Sequence, residues 1–186
     1  MKRLLLALML TTGPAVALAA EPASVYDMTQ ALSNQLATEA LSACHNMNRQ
    51  GVVAVVDRGG NLVTLMRDDN VGPHNTQAAW RKAFTALSTK TPTRQLTIKA
   101  QSSPESVNLN TVNELLLLGG GVPVQYRGQW IGAIGMAGTG GAESDDQCGT
   151  EAINKVLGNS KHITNTTTTY HIPLLLSQYG YSTYRG

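Results

Sequence analysis

The stretch "IGAIGMAGTGGAESDDQC" (residues 131–148) decides how the fold is read. An apolar run of strand character breaks into glycines and then into the acidic start of a helix. A phosphate-cradling loop is the first reading to test. Such a loop needs free backbone N–H groups at the helix start, positive potential and usually a lysine. Here Glu143, Asp145 and Asp146 occupy that start, where carboxylates would cap the N–H groups and repel a phosphate. The Gly132, Gly135, Gly138 spacing also matches neither the Walker nor the dinucleotide pattern. Gly132 and Gly135 are therefore read as close-packing positions in a strand, and Gly138, Gly140 and Gly141 as a turn.

Working outward, "VVAVVD", "RGGN" and "LVTLMR" (residues 52–67) read as two strands joined by a short glycine turn. They do not alternate between apolar and polar. That predicts cover on both faces, one by helices and the other by a second subunit. Upstream, Val25, Met28, Leu32, Leu36, Ala40, Ala43 and Met47 recur at three- and four-residue steps. They predict one helix over residues 24–50, stopped by Gly51. Downstream, "HNTQAAWRKAFTALS" predicts a helix burying Ala79, Trp80, Ala83, Phe84 and Leu87. Pro92 ends it, and Thr93 is placed to cap a short helix through Ala100. The segment "SSPESVNLNTVN" is polar and irregular. "LLLLGGGVPVQYRGQWIGAIGMAG" supplies a second hairpin turning at Arg127 and Gly128, and a last helix covers residues 144–157. Helix, hairpin, helices, hairpin, helix implies an α/β (α+β) layer with a largely antiparallel sheet.

The ends of the chain differ from this middle. "MKR", the apolar "LLLALML" and the small residues Ala17-Leu18-Ala19 form a secretory signal pattern over residues 1–19, which implies a periplasmic or secreted protein. Thr11, Thr12, Gly13 and Pro14 interrupt the apolar run too early for a membrane span. Lys2 and Arg3 leave with the signal, so the 14 Lys+Arg fall to 12, equal to the 12 Asp+Glu. That balance lacks the concentrated positive charge of a nucleic-acid binder. Residues 20–158 form one domain, and the threonine- and tyrosine-bearing residues 159–186 an extension. Cys44 and Cys148 both fall in the exported part. There they form either one disulfide between the first and last helices or two inert thiols.

Two long motifs, "VVAVVDRGGNLVTLMRDDNVGPHNTQAAWRKAFTAL" and "LGGGVPVQYRGQWIGAIGMAGTGGAESDDQC", make the chain resemble the GlcG/HbpS family over roughly residues 29–157. This is the haem-binding or haem-degrading domain that is also fused to some corrinoid adenosyltransferases. The resemblance implies a profilin-like, five-stranded antiparallel sheet flanked by helices, a homo-oligomer, and haem as cofactor. Two departures stand out. Asp145-Asp146 replaces the Asp-Glu that relatives often carry, and the "TGGAES" loop lacks a histidine found in some of them.

The loop "RDDNVGPH" and the helix containing "RKAF" are the place to look for a site. Arg67 and Lys82 are cations suited to carboxylates such as haem propionates, or else to internal pairing with Asp68, Asp69, Asp145 or Asp146. His74, in the turn before the helix, is the best-placed candidate for an iron or other metal ligand. The binding set expected is Arg67, Asp69, His74, Lys82, Asp145 and Asp146. His45 reads as structural, and His162 and His171 fall in the extension. No nucleophile elbow or activated cysteine is present. Two functions fit: an exported haem (tetrapyrrole)-binding protein with redox-sensing or slow haem-degrading activity, or a small-carboxylate-binding enzyme or accessory subunit of a metabolic operon.

Overall fold

The computed structural model describes residues 20–158. The signal segment and the extension, with His162 and His171, lie outside the described residues. Helix α1 (Gln30–Asn46) begins where the Thr29 hydroxyl accepts the Leu32 N–H. It starts later than the periodicity predicts because the preceding residues are tied down elsewhere. Met28 N–H donates to the Ile131 carbonyl (3.1 Å), and the Asp27 carboxylate accepts the Arg58 N–H (2.8 Å).

The chain continues as β1 (Val52–Asp57), β2 (Leu62–Arg67), α2 (His74–Thr89), α3 (Thr93–Ser102), β3 (Gly121–Tyr126), β4 (Gln129–Ala137) and α4 (Ala142–Leu157). Both predicted hairpins form. The second turns at Arg127 and Gly128, which both carry positive φ, as a tight two-residue turn demands. The predicted irregular stretch contains a short 3-10 helix, Val107–Thr111. Thr93 opens α3 rather than capping it, and its hydroxyl accepts the Gly121 N–H (2.8 Å).

The sheet has four strands among the described residues, ordered β2-β1-β4-β3 and antiparallel throughout, not the five expected. The apolar run before β3 adds no strand because α2 captures its backbone. Arg81 Nη2 donates to the carbonyls of Asn113 and Leu115 (2.7 Å each), and the Thr85 hydroxyl accepts the Leu116 N–H (2.8 Å). Those backbone groups are satisfied without a ladder. Pro123 lies in β3, an edge strand, where its missing N–H is tolerated.

The central strands are buried on both faces within this one chain. Val53, Val55, Ile134 and Met136 pack with Leu36, Ala40, Cys44, Cys148 and Ala152 of α1 and α4. Val52, Ala54, Val56, Ala133 and Ala137 meet Ala79, Ala83 and Ala86 of α2 on the opposite face. The lack of alternation in "VVAVV" and "IGAIGM" therefore reflects helices on both sides, and no second subunit is needed to cover the sheet. The inward side of α2 also differs from the expected one. Alanines face the sheet, Phe84 and Leu87 are only half-buried, and Trp80 is exposed. The cause is close approach: a Cβ on Gly135 would lie 2.0 Å from the Ala79 carbonyl oxygen, and one on Gly121 2.2 Å from that of Lys82. Alanines fit between helix and strand at that distance, and the large apolar side chains lie on the flank.

Cys44 and Cys148 form a disulfide joining α1 to α4, with Cα atoms 5.4 Å apart and 104 residues between them in sequence. Closing so long a loop restricts the unfolded chain. Replacing both cysteines with alanine should therefore lower unfolding free energy by up to about 4–5 kcal/mol, measured by urea titration. Alkylation of the denatured, unreduced protein should label neither thiol.

Candidate functional site

Three of the six expected site residues converge where α2, the end of β4 and the start of α4 meet. Lys82 and Asp145 are almost fully buried, at 2% and 3% exposure. Lys82 Nζ donates to Asp145 Oδ2 (2.8 Å) and to the Met136 carbonyl (3.0 Å). Asp145 Oδ1 accepts the hydroxyl (2.6 Å) and the N–H (3.2 Å) of Thr139. A buried ion pair needs further hydrogen bonds to offset the loss of water, and the Met136 carbonyl and Thr139 supply them.

The triple glycine before β3 wraps this cluster. A Cβ on Gly120, which has φ +117°, would lie 2.7 Å from the Asp145 Cβ and 3.0 Å from Lys82 Nζ. Asp146 accepts the Gly120 N–H (2.6 Å) and lies 3.8 Å from Arg94. Burial raises the Asp146 pKa above its ordinary value, opposed by the Gly120 hydrogen bond and by the charges of Arg94 and Lys82. Neither aspartate caps α4, as the sequence suggested. Gly141 stands at the cap position with no side-chain bond, and the two carboxylates turn back onto the Thr139 loop and onto Gly120. Lys82 is likewise not presented to a ligand, because Asp145 and Met136 already hold it.

Arg67, Asp69 and His74 lie apart from this cluster, at the end of β2, on the loop that follows and at the start of α2. Arg67 Nη2 donates to the Val71 carbonyl and holds the loop's curve. Asp68 accepts the Gly51 N–H and pairs with His45 (2.9 Å each), which makes His45 structural as expected. Asp69 is exposed. The exposed His74 opens α2 with its ring over Gly72: a Cβ there would meet the ring at 3.1 Å. No hydrogen bond or ion pair engages that ring among the described residues.

Between the two groups runs a groove of about 410 Å³, lined by residues 48–50, 70–72 and 138–140. Two contributors escaped sequence reasoning. Thr139 forms part of the groove wall and transmits it to Asp145; a hydroxyl set among glycines six residues before an acid was the available signal. Arg49 lies against Gly140, its Nη1 2.8 Å from where a Cβ would stand. Only the end of α1, placed in space, brings it there. Among the described residues no three His, Cys, Asp or Glu side chains cluster as a metal site, so His74 would have to bind iron without a protein-built cage.

Fold and site together define a small layered α+β binding domain with a groove over a buried Lys–Asp pair. The comparisons give the family. The chain belongs to the HbpS-like family, described as haem degrading protein HbpS-like, whose model matches residues 28–154. It is 32% identical over 126 residues to an uncharacterised 15.0 kDa protein encoded between dhaT and dhaS in Citrobacter freundii, covering 61% of this chain and 88% of that one. The crystal structure of HbpS is 33% identical, with TM-score 0.69 over 77% of this chain and 99% of that chain. The Klebsiella pneumoniae protein ORFY is 29% identical, with TM-score 0.71 over 76% and 98%. A crystal structure of a PduOC:heme complex is 25% identical, with TM-score 0.62 over 68% and 93%.

The extension has a different likeness. Residues 153–186 match the HIUase/Transthyretin family. Over 25 residues the chain is 76% identical to the 5-hydroxyisourate hydrolase of Salmonella typhimurium, covering 13% of this chain and 18% of the hydrolase. Less than a fifth of that enzyme is represented.

The buried pair gives a direct test of how the site is held. Lys82→Met should cost about 3–5 kcal/mol of stability by leaving Asp145 charged and unpaired. Adding Asp145→Asn should restore part of it, since the amide oxygen still accepts from Thr139. Urea unfolding of the two variants measures both effects.

Proposed function

We propose that this protein binds haem in the groove beside His74, as an exported member of its family. The observation that carries the reading is the His74 imidazole, exposed against Gly72, which lines the groove, and unengaged among the described residues. The side chains able to ligate haem iron are histidine, methionine, cysteine and tyrosine. Both cysteines are consumed by the disulfide, and Met28 and Met136 are buried in the core with Met47 and Met66 packed against it. Asp68 holds His45, and Tyr26 and Tyr126 pack on each other under Arg127, away from the groove. His74 remains the best placed, and the donor set fits the group. Arg67 has guanidinium N–H groups beyond the one given to Val71, and Arg49 adds a second cation at the groove. These arginines would take the propionates, in place of the sealed Lys82. Bound haem would supply a redox-active iron, and redox sensing or slow haem degradation is the finer part of the proposal. Self-association belongs to it too, through an outer surface rather than a sheet face.

Titration with haemin tests the reading. A saturable change in the Soret band is expected, shifted by His74→Ala and weakened roughly tenfold or more by Arg67→Ala, the loss of one charge-assisted hydrogen bond. Slow bleaching of that band with reductant and dioxygen would read degradation. No saturable change would favour a small carboxylate in the polar groove instead. Saturation indifferent to both substitutions would place the ligand elsewhere.

Export is supported by the signal pattern and by the disulfide, which persists in oxidising compartments. Mass spectrometry of protein from its native compartment should find a chain beginning near Ala20 or Glu21. A full-length cytosolic product would contradict export.

A further inference from the structure

A cavity of about 500 Å³ opens at the far end of α2, between the β1–β2 turn, the β3–β4 turn and the α2 C-terminus. It lies at the opposite end of β1 and β4 from the His74 groove. Its volume falls within the ~300–1,000 Å³ usual for small-molecule sites. Phe84, Leu87 and Trp130 supply apolar surface, and Arg58 and Lys90 supply charge. No Asp or Glu lines it, and neither cation pairs with a carboxylate among the described residues. Its walls thus carry two positive charges and no negative one in a protein whose exported part is balanced overall.

The frame is built before any ligand arrives. Asp57 Oδ1 accepts the N–H groups of Gly59 (2.8 Å) and Asn61 (2.9 Å), which fixes the turn. Gly60, with φ +83°, lies so close to the Phe84 ring that a Cβ would come within 2.8 Å of it. Gln129 Oε1 accepts from Tyr26 N–H (3.1 Å) and from Arg58 Nη1 (3.4 Å), so Arg58 is steered by a neutral group that leaves its charge uncompensated. Lys90 sits at the helix C-cap with φ 52°. Histidine, methionine, cysteine and tyrosine are all missing from the lining, so haem would find no iron ligand here.

The geometry points to a second binding site, for a planar aromatic carboxylate. The ring would lie against Phe84 and Trp130, and the carboxylate would face Arg58 and Lys90. Such a ligand uses both kinds of surface at once. A neutral aromatic would leave the cations unused, and a small inorganic anion the rings.

Calorimetric titration of 2-naphthoate into the full chain tests this. One saturable site per chain is expected, unaffected by saturating haemin. The double variant Arg58→Gln/Lys90→Asn should weaken binding at least tenfold, and uncharged 2-naphthol should bind wild type at least tenfold more weakly than the carboxylate. Asparagine is chosen at position 90 because it tolerates the left-handed backbone. Should the double variant fail to fold by circular dichroism, Lys90→Asn alone and the naphthol comparison decide. The proposal is overturned by the absence of saturable heat, by naphthol binding as well as naphthoate, by indifference to the variants, or by displacement with haemin.

Discussion

The ion pair between Lys82 and Asp145 ties together two helices that pack on opposite faces of the sheet. The lysine comes from α2 on one face of the sheet. The aspartate comes from α4 on the other. Between them lie the Met136 carbonyl at the end of β4, the Thr139 hydroxyl in the loop and the glycines that lead into β3. Two charges removed from water impose a strict requirement: every remaining donor and acceptor must find a partner. That requirement accounts for Gly120, where a side chain would strike the pair. It also accounts for a helix start that lacks an ordinary cap, because both acids are engaged inward.

How far the sequence revealed this depended on the range of the physics involved. Hairpins follow from local turn chemistry, so "RGGN" and Arg127-Gly128 were legible. The dismissal of a phosphate loop also rested on residues a few positions apart, although the acids turned out to hold the loop and Gly120 rather than the helix. The face of α2 was misread for a different reason. Hydrophobicity placed Trp80, Phe84 and Leu87 inward, whereas the close approach of the helix to Gly135 and Gly121 puts alanines against the sheet, with Lys82 and Thr85 buried beside them. The same blindness suggested a second subunit where α2 itself covers the sheet. The fifth strand came from the family resemblance alone, and the two hairpins read from the residues account for all four strands found among the described residues. Of the site residues, Lys82, Asp145 and Asp146 do meet, but as structural partners. His74 and Arg67, which enter the proposed haem site, were chosen from residue type and loop context, while Arg49 and Thr139 required the folded chain.

The two faces of the sheet are secured by different means. α1 and α4 are joined covalently across one face and share the larger hydrophobic cluster with it. α2 has no covalent attachment. It is held by close alanine–glycine contact, by Lys82, and by the backbone it collects through Arg81 and Thr85. The two cavities proposed as binding sites lie at the ends of this helix, where the packing that fixes its middle gives way to loops.

That close contact has an evolutionary consequence. Gly135 and Gly121 have almost no room to vary, because even one added carbon there meets the backbone of α2 rather than a side chain able to rotate away. Chemical novelty in a lineage built on this scaffold is thereby channelled to the helix ends and its solvent side. There Trp80, His74 and Lys90 can be exchanged without reopening the helix–sheet seam. A single rigid layer can thus carry different ligand preferences in different descendants, each gained by exchanging residues at the rim while the interior stays nearly unchanged.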